Sequence, residues 1–560
     1  MEPRSPSKFK IPIMGFVQYK RVFNIGIIVL AVVLLLVGVY HVFGPGRGGN
    51  VLGRPYFTVV VDCGSTGTRV NVYEWVMKGE RNWELPMLMH SYPDLSTKSP
   101  LWKGACQYHC LQTEPGLDKF VGNYSGVRAS LEPLILWAEQ QVPPERRGET
   151  PVFVLATAGL RRLDVVDVKQ VLDDAEAVVG KHAFLHRRSW IRVLSGKEEA
   201  YYGWIALNYK MGRLGNNSRL PTLGLLDLGG SSLQVVMEVG ESREDGHLVR
   251  SRVGLFEHRI LAYSLTEFGI NKAFDRTVSM LSQVQPLREG SGRKLELQHP
   301  CLGSDYVNNY TCDGCIFSNA TDSNSSQPMR NHHFTSVYLV GDLNWEQCKG
   351  LARTAAIHSS SSDWSNLTLA LNCKAHLPSH SGSNILNSKA TTHAAACFHA
   401  LSGFFVVYTM LNLSQRANMT EIWERGQQLC SRSDAHFGSI SGNYARQFCF
   451  SVPYLASLIE DGLCLGDAEI NFGPGDVSWT LGAALVEGEY LWLSTTNSRL
   501  SISSLKIKSV LASPFFLFIL LLGLLLIVYC SQIKLPMPGK RGAGVRSSLP
   551  SYIYPKRRPN

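Results

Sequence analysis

Short apolar runs that end in small residues alternate with helical stretches along the central part of this 560-residue chain. Four runs have the length and β-branched content of buried strands: Phe57–Val61, Val152–Ala156, Ile191–Leu194 and Leu223–Leu226. Between two of them, Val165–Val179 places its apolar residues at helical spacing. Strands and helices in alternation predict an α/β fold.

Two longer apolar stretches flank this region. Val22–Tyr40 contains 19 residues without a charge, and Ser509–Ile533 contains 25; about 20 residues suffice for a helix to cross a bilayer. Unlike a signal peptide, the first stretch begins far from the chain start and lacks a small-residue cleavage site before Gly44. We therefore predict two uncleaved membrane-spanning helices, over residues 22–43 and 509–533.

The net charge of +10 is concentrated at the two ends of the chain. Residues 1–21 carry a net +4 and residues 534–560 carry +7, which leaves about −1 for everything between them. Basic flanks stay on the cytosolic side of a membrane. We therefore predict two cytosolic tails and a lumenal or extracellular central segment, in the Golgi, the endoplasmic reticulum or at the cell surface. Without excess positive charge, that segment is not expected to bind nucleic acid.

The glycosylation and cysteine patterns agree with this topology. Eight Asn-x-Ser/Thr sequons lie between the two apolar stretches, at Asn123, Asn216, Asn309, Asn319, Asn324, Asn366, Asn412 and Asn418. Twelve of the 13 cysteines lie there too, which indicates an oxidising compartment and several disulfides. We expect Cys106 to pair with Cys110, and we expect three others to belong to a cross-linked surface insertion: Cys301, Cys312 and Cys315.

One motif occurs twice, 165 residues apart. In "VVVDCGSTGTRV" and "GLLDLGGSSLQVV", an apolar strand ends at an aspartate, glycines and hydroxyl residues follow, and a second strand begins. Successive backbone N–H groups and Ser or Thr hydroxyls in such turns bind phosphate oxygens. The two acids, Asp62 and Asp227, cannot bind phosphate, but they can hold the waters of a divalent cation. Two such turns facing each other would bind a polyphosphate together with its cation.

Two further stretches contain candidate catalytic groups. "VFVLATAGLRRL" (152–163) is a strand that leads through Thr157 into a helix start, where free N–H groups favour anions. "RVLSGKEEAYYGW" (192–204) places Glu198 and Glu199 at the start of an aromatic-rich helix. A carboxylate there can act as a general base, whereas the helix macrodipole alone also favours acids at this position. The stretch by itself favours the second interpretation.

Taken in order, five segments resemble the apyrase-conserved regions of the apyrase family, the ecto-nucleoside triphosphate diphosphohydrolases. They are "DCGSTGTR", "ATAGLR", "SGKEEAYYGW", "LDLGGSSLQ" and "GDVSWTLGAAL". The resemblance covers residues 56–490 and includes "FCFSVPYLASLIEDG" (448–462). The terminal apolar stretches resemble the anchors of membrane-bound members, and the chain is most similar to a membrane-anchored plant apyrase.

This resemblance implies an actin-like (ribonuclease H-like) two-lobed α/β fold with terminal transmembrane helices. It also implies hydrolysis of nucleoside tri- or diphosphates with Ca²⁺ or Mg²⁺, the cation being held through water by Asp62 and Asp227. The implied catalytic residues are Glu199, as general base, and Ser232, Gln234 and Thr157 around the attacking water. The residues implied to bind phosphate or nucleotide are Ser65, Thr66, Gly67, Thr68, Gly229, Gly230, Ser231, Tyr454 and Trp479.

The resulting domain prediction has eight segments. They are a cytosolic tail (1–21), a transmembrane helix (22–43), a stalk (44–55), lobe I (56–195, completed by 466–488), lobe II (196–465), a second stalk (489–508), a second transmembrane helix (509–533) and a second tail (534–560). Two alternatives stay open: another phosphotransferase of the same superfamily (a sugar kinase or an exopolyphosphatase), or a catalytically impaired nucleotide-binding membrane protein. The preferred nucleotide and the oligomeric state also stay open.

Overall fold

The computed structural model describes residues 55–76, 85–94, 111–215, 220–240, 245–253, 256–285, 288–289, 295–312, 336–357, 359, 361–371, 373, 397–431, 447–488 and 522–523. Among these residues, no helix is both long and apolar enough to cross a bilayer. The predicted spans, tails and stalks lie outside the described residues, apart from positions 55, 522 and 523. The described residues from 55 to 488 belong to one compact unit, which extends over residues 50–496.

The first sheet is built from the N-terminal strands: β1 (Tyr56–Cys63), β2 (Thr68–Val76), β3 (Met87–Tyr92), β4 (Leu111–Thr113), β5 (Val152–Ala156) and β6 (Ile191–Val193). Their order is β3-β2-β1-β5-β6, with β4 also pairing to β2. Strands β1, β2 and β3 are antiparallel, whereas β5 and β6 continue the sheet parallel to β1. The central strand β1 is an almost uninterrupted apolar run because both of its faces are buried.

The later strands form two more sheets. They are β7 (Gly224–Leu228), β8 (Leu233–Glu238), β9 (Leu248–Val253), β10 (Phe256–Leu265), β11 (Arg288–Glu289), β12 (Leu295–His299), β13 (Val307–Thr311), β14 (Ser336–Gly341), β15 (Cys397–Ser402) and β16 (Glu469–Phe472). The second sheet has the order β16-β15-β7-β8-β10-β9, and the third has the order β11-β12-β14-β13. Like β1, β7 has an antiparallel neighbour on one side and two parallel strands on the other. The second sheet therefore repeats the topology of the first.

The helices are α1 (Tyr124–Gln141), α2 (Pro144–Arg147), α3 (Ala158–Arg161), α4 (Val165–Val179), α5 (Gly196–Lys210), α6 (Ile270–Val284), α7 (Trp345–Ile357), α8 (Ser362–Ala370), α9 (Gly403–Met410), α10 (Met419–Cys430), α11 (Phe448–Ser457) and α12 (Trp479–Glu487). Short 3₁₀ segments occur at Leu117–Lys119 and Arg188–Trp190, and a π-helical turn at Leu458–Gly462 extends α11. Helices α1 and α4 cover the outer face of the first sheet, and α6, α7 and α11 cover the outer face of the second.

Helices α5 and α12 lie between the two large sheets, in a core that takes residues from both. One glycine lets the two helices approach closely, and another lets α5 pack against β7. A Cβ atom at Gly482 would lie only 1.9 Å from the backbone oxygen of Tyr202, and one at Gly203 would lie 2.7 Å from the Leu225 side chain. The layers are therefore helices, sheet, helix pair, sheet and helices, with the helix pair as the shared centre of the two lobes.

One boundary within the lobes differs from the prediction. The segment 466–488 was expected to complete lobe I, but its strand β16 pairs with β15 in the second sheet. The helical part of this segment, together with Val477 just before it, packs at the centre. The physical reason is that an apolar Ile470 and Phe472 fit the open parallel edge of the second sheet, where both are buried. The other segment boundaries stay predictions.

Three disulfides lie in the described part of lobe II: Cys301–Cys348, Cys373–Cys464 and Cys430–Cys449. Cys301 was expected on a surface insertion, but it is fully buried and ties the strand end after β12 to α7. Cys312 is also disulfide-bonded and buried. Both belong to the core because disulfide sulfurs pack as apolar groups there. Cys106, Cys110 and Cys315 lie outside the described residues.

Candidate active site

The two acidic turns have the same backbone geometry. In the first turn the Gly64 N–H donates to the Gly67 oxygen at 3.0 Å, and in the second the Gly229 N–H donates to the Ser232 oxygen at 2.9 Å. The strand registers agree as well, because Asp62 pairs with Arg69 and Asp227 pairs with Gln234. Each of these positions is related to its counterpart by the same 165-residue offset found in the sequence. The turns are thus structural repeats, one after the inner strand β1 of the first sheet and one after the inner strand β7 of the second.

The two turns face each other and touch. The Ser65 and Ser231 hydroxyl oxygens lie 2.7 Å apart, within hydrogen-bond distance, although 166 residues separate them in sequence. A Cβ atom at Gly230 would lie 3.6 Å from the Thr66 methyl group. Ser65, Thr66 and Ser231 are each partly exposed, so solvent reaches this gap. The structure therefore brings together four of the residues assigned to phosphate binding: Ser65, Thr66, Gly230 and Ser231.

Close backbone packing holds the first turn in place from behind. A Cβ atom at Gly67 would lie 2.6 Å from the Thr113 oxygen of β4, so no larger residue fits there. Gly159, at the start of α3, packs against the Ser65 backbone, where an added Cβ would lie 3.0 Å from the Ser65 Cα. The Asp118 carboxylate also packs against Gly159. Its Oδ1 is buried and has no hydrogen-bond partner among the described residues.

The two aspartates that end β1 and β7 are coupled acids with different partners. Arg69 Nη1 lies 3.4 Å from Asp62 Oδ2, while its Nη2 donates to the Thr66 hydroxyl. Burial raises the pKa of Asp62, and Arg69 offsets part of this increase. Burial also raises the pKa of Asp227; a hydrogen bond from Ser402 opposes this change and the nearby Asp62 adds to it. A buried carboxylate whose pKa is raised by a second carboxylate nearby marks a place that favours a cation.

The donor set fits a hydrated divalent cation. Asp62 is buried, and its Oδ1 has no hydrogen-bond partner within the described part of the chain. Hard cations such as Ca²⁺ and Mg²⁺ prefer carboxylate oxygens and water. Across the described residues, no group of three or more His, Cys, Asp or Glu side chains is arranged to bind a metal directly. A cation between these aspartates would therefore depend on water for most of its ligands.

Glu198 and Glu199 have separate roles at the start of α5. The Glu198 carboxylate accepts from the Ser195 N–H, and the Glu198 N–H donates to the Ser195 hydroxyl, which completes a capping box. Glu199 instead pairs with Arg161 at the end of α3. Burial raises the pKa of Glu199 to about 7; Arg161 opposes this rise, and Asp62 and Asp227 add to it. A carboxyl group that titrates near neutral pH is suited to general-base chemistry.

Two of the residues expected around the attacking water, Ser232 and Gln234, are in contact with each other. Gln234 Nε2 donates to the Ser232 hydroxyl at 2.7 Å and to the Ser264 hydroxyl at 3.2 Å. An added Cβ at Gly196, just before the glutamates, would lie 2.6 Å from that Ser264 oxygen, so this pair adjoins the start of α5. Thr157 follows β5, and its N–H donates to the Cys63 oxygen beside the first turn.

Three of the expected nucleotide-binding residues lie behind the gap instead. The Thr68 side chain is fully buried and accepts from the Ser130 hydroxyl at 3.2 Å. Tyr454 is fully buried in the core of lobe II, where its hydroxyl donates to the Phe268 oxygen at 2.7 Å. Trp479 is buried at the first turn of α12, in the core between the sheets. These three side chains have almost no exposed surface to offer a ligand.

Three residues at the site were given no role from the sequence. Arg69 is the last residue of "DCGSTGTR" and Arg161 is the last residue of "ATAGLR". A basic residue at the end of each motif was therefore a sequence signal that could have identified both arginines. Ser402 follows a plain apolar strand and carries no such signal. Its contact with Asp227 depends on how β15 pairs with β7.

The sequons in the described residues are accessible. Asn123, Asn309, Asn366, Asn412 and Asn418 are all exposed, as glycan attachment requires. Asn123 and Asn418 also cap helices α1 and α10 through their side-chain oxygens, which leaves the amide nitrogen of each free of that contact. Asn216, Asn319 and Asn324 lie outside the described residues.

Comparison with known proteins gives a consistent result. The profile of the GDA1/CD39 (nucleoside phosphatase) family matches residues 54–501. "Probable apyrase 7" of Arabidopsis thaliana is 37% identical over 491 residues, which cover 86% of this chain and 62% of that relative. Ectonucleoside triphosphate diphosphohydrolase 3 of Mus musculus is 25% identical over 90% of this chain and 91% of its own length. Among solved structures, nucleoside triphosphate hydrolases from Neospora caninum superpose with a TM-score of 0.50 at 12% identity, covering 80% of this chain and 94% of that one.

The duplicated sheets, with one acidic turn on each and a shared helix pair between them, define an actin-like two-lobed α/β fold, as predicted. The profile match covers most of the chain, and the chain therefore belongs to the GDA1/CD39 (nucleoside phosphatase) family. The predicted membership of the apyrase family is confirmed. The chain covers less than two thirds of the length of the Arabidopsis relative, so its own substrates are a matter for proposal.

Proposed function

We propose that this protein hydrolyses nucleoside tri- and diphosphates to release inorganic phosphate, in a reaction that depends on a divalent cation. The observation that carries the proposal is the contact between the two acidic turns, at 2.7 Å between the Ser65 and Ser231 hydroxyls. This contact brings Asp62, Asp227 and Glu199 into electrostatic range of one another. The names of the relatives, an apyrase and a triphosphate diphosphohydrolase, point to the same substrates.

The turns supply the groups that a polyphosphate requires. The first offers hydroxyls at Ser65 and Thr66 and backbone N–H groups around Gly67, and the second offers Ser231 with the N–H groups of Gly229 and Gly230. Successive N–H groups in such turns are good phosphate donors. Asp62 and Asp227 would hold Ca²⁺ or Mg²⁺ through water. When bound, that cation neutralises phosphate charge and helps to orient the phosphoryl group.

Glu199 is the proposed general base. Its pKa of about 7 lets it accept a proton from water at neutral pH, when the carboxylate is available. Arg161 fixes the orientation of the carboxylate through their ion pair. The Ser232 hydroxyl and the Gln234 amide orient the water, and Thr157, which follows β5, is assigned to the same group by the family resemblance. Hydrolysis then proceeds by in-line attack, because phosphoryl transfer needs positioning and charge stabilisation more than covalent chemistry.

We also propose that the enzyme is anchored by two membrane spans with both termini cytosolic and the two lobes lumenal or extracellular. Support comes from the two apolar stretches, the basic tails and the exposed sequons. Treatment of the expressed protein with a glycosidase should increase its gel mobility. An unchanged mobility would place the lobes on the other side of the membrane.

The test of the reaction uses the detergent-solubilised full chain with ATP, ADP, GDP and UDP, each with Ca²⁺ or Mg²⁺. Phosphate should be released without any acceptor sugar, which separates a hydrolase from a kinase. Glu199→Gln should lower turnover by a factor of about 10²–10⁴ while nucleotide binding persists. Glu198→Gln is the matched control: it makes the same chemical change one residue away, retains a capping acceptor, and should change turnover less than about threefold. Equal turnover in the two variants would reject Glu199 as the base.

A further inference from the structure

The two metal-site aspartates occupy equivalent places in the repeat, yet each is held by a different neighbour. Asp62 is held by Arg69, which lies opposite it on the antiparallel strand β2. The equivalent of Arg69 in the second sheet is Gln234, which donates to Ser232 and Ser264 instead. Asp227 receives its hydrogen bond from Ser402, on the parallel strand β15. The internal repeat therefore serves as its own comparison: Asp227 receives a hydrogen bond from β15, whereas the residue equivalent to Ser402 in the first sheet is Ala156, which has no hydroxyl.

Strand geometry alone would not produce the contact between Ser402 and Asp227. Side chains alternate between the two faces of a sheet, and paired residues on parallel strands share a face. Asp227 pairs with Leu401, whose side chain lies in the core between the sheets, on the α5 side. Ser402 pairs with Leu228, which lies in the opposite core. A regular strand would direct Ser402 away from Asp227.

The backbone of Ser402 departs from strand geometry at this point. It has φ 54° and ψ −119°, a backbone conformation that residues other than glycine rarely adopt. Its equivalent in the first sheet is Ala156, which pairs with Cys63 inside the regular strand β5. The next residue, Gly403, packs so tightly that a Cβ there would lie 2.8 Å from the Leu228 oxygen. The turn into α9 thus places an unfavourable backbone conformation on the serine rather than on the adjacent glycine.

We propose that Ser402 is a positioning residue for the cation site: its strained backbone turns the hydroxyl across the sheet so that it fixes the orientation of the Asp227 carboxylate. A left-handed position occupied by glycine would relieve the strain but could not supply the hydroxyl. A serine at this strained position therefore indicates that the contact serves the site rather than the stability of the fold. This inference rests on the proposed role of Asp227 in holding the cation.

The decisive variant is Ser402→Gly, because strain and function predict opposite effects from the same substitution. Glycine adopts positive φ readily, so the variant should melt at the same temperature as the parent or higher. Loss of a hydrogen bond to a charged group should nevertheless weaken cation binding about tenfold or more. Calorimetric titration of Ca²⁺ into the full chain saturated with the β,γ-imido analogue of ATP measures this affinity without turnover. Ser402→Ala, which loses the hydroxyl and keeps the strain, should show the same loss of affinity.

Two reference variants keep the outcomes distinguishable. Ser282→Ala removes a serine hydroxyl that only bonds within α6, to the Ser279 oxygen, and should bind Ca²⁺ like the parent. Asp227→Asn tests the underlying role: if it leaves Ca²⁺ affinity unchanged, the proposed cation site itself is wrong. If Asp227→Asn weakens Ca²⁺ binding and both Ser402 variants stay within twofold of the parent, the positioning role is overturned. A melting temperature for Ser402→Gly below that of the parent would overturn the strain argument.

Discussion

Glu199 should make the ligand-free protein less stable as the pH rises, and Glu199→Gln should remove this effect. The side chain is only 12% exposed, and its pKa rises from 4.5 to about 7 on folding. The folded state therefore binds more protons than the unfolded chain between these values. By linkage, the contribution of Glu199 to the free energy of unfolding is greatest below pH 4.5 and is lost as the pH increases through this window. With about 1.4 kcal/mol for each tenfold change in proton affinity, the full loss is about 3 kcal/mol.

Between pH 5 and pH 8 this one group should account for about 2.5 kcal/mol. The measurement is urea unfolding of the parent and of Glu199→Gln in EDTA, so that no cation screens the carboxylates. Glutamine keeps an acceptor oxygen for Arg161 and behaves like the protonated acid at every pH. The advantage of the variant over the parent should therefore increase by about 2.5 kcal/mol from pH 5 to pH 8. An advantage that does not change with pH would refute the reasoning, and Glu198→Gln should show none of this increase.

Three other predictions follow from the fold and the site. Gly482→Ala should destabilise the protein by about 1–3 kcal/mol or more, because the added methyl group meets the Tyr202 backbone, which cannot move aside as a side chain could. Gly148→Ala is the control, since its methyl group meets nothing within 4 Å. Equal unfolding midpoints for the two variants would contradict the packing of α5 on α12. Replacement of Cys301 and Cys348 together by alanine should cost about 4 kcal/mol, since their disulfide closes a loop with a sequence separation of 47; the urea midpoint measures the loss, and an unchanged midpoint would count against it. Chelation with EDTA should abolish phosphate release, and either Ca²⁺ or Mg²⁺ should restore it; full activity in EDTA would remove the cation from the account.

The pattern of apolar residues predicted the strands and the helix whose apolar residues follow a regular spacing without interruption. The expected strand Val152–Ala156 and helix Val165–Val179 have the same bounds in the structure. The other three strands differ by one or two residues at their ends: β1 and β7 continue through Asp62–Cys63 and Asp227–Leu228 into the turns, and β6 ends one residue earlier than expected. The third sheet was not predicted. Its strand Val307–Thr311 alternates between exposed and partly buried positions and contains little apolar surface to reveal it.

At the site, the sequence identified the two turns but not the contacts that tune them. The turns are local motifs, so their repeat at Asp62 and Asp227 can be seen by comparing two short segments of the sequence. The assignment of separate roles to Glu198 and Glu199 needed the structure, because both acids suit a helix N-terminus and only one faces Arg161. The contact between Ser402 and Asp227 was also invisible, since it depends on strand pairing and on a backbone conformation that alternation does not predict.

The two turns meet through Ser65 and Ser231, at the gap where we propose that the nucleotide phosphates bind. Cysteines at both contact positions, Ser65→Cys with Ser231→Cys, test this directly, because their side chains would lie within bonding range. The account predicts that a mild oxidant links them, that the linked protein no longer releases phosphate from ATP, and that Ca²⁺ with the β,γ-imido analogue of ATP protects against linking. If the pair does not link, or if the linked protein hydrolyses ATP at the rate of the unlinked one, the proposed site is contradicted.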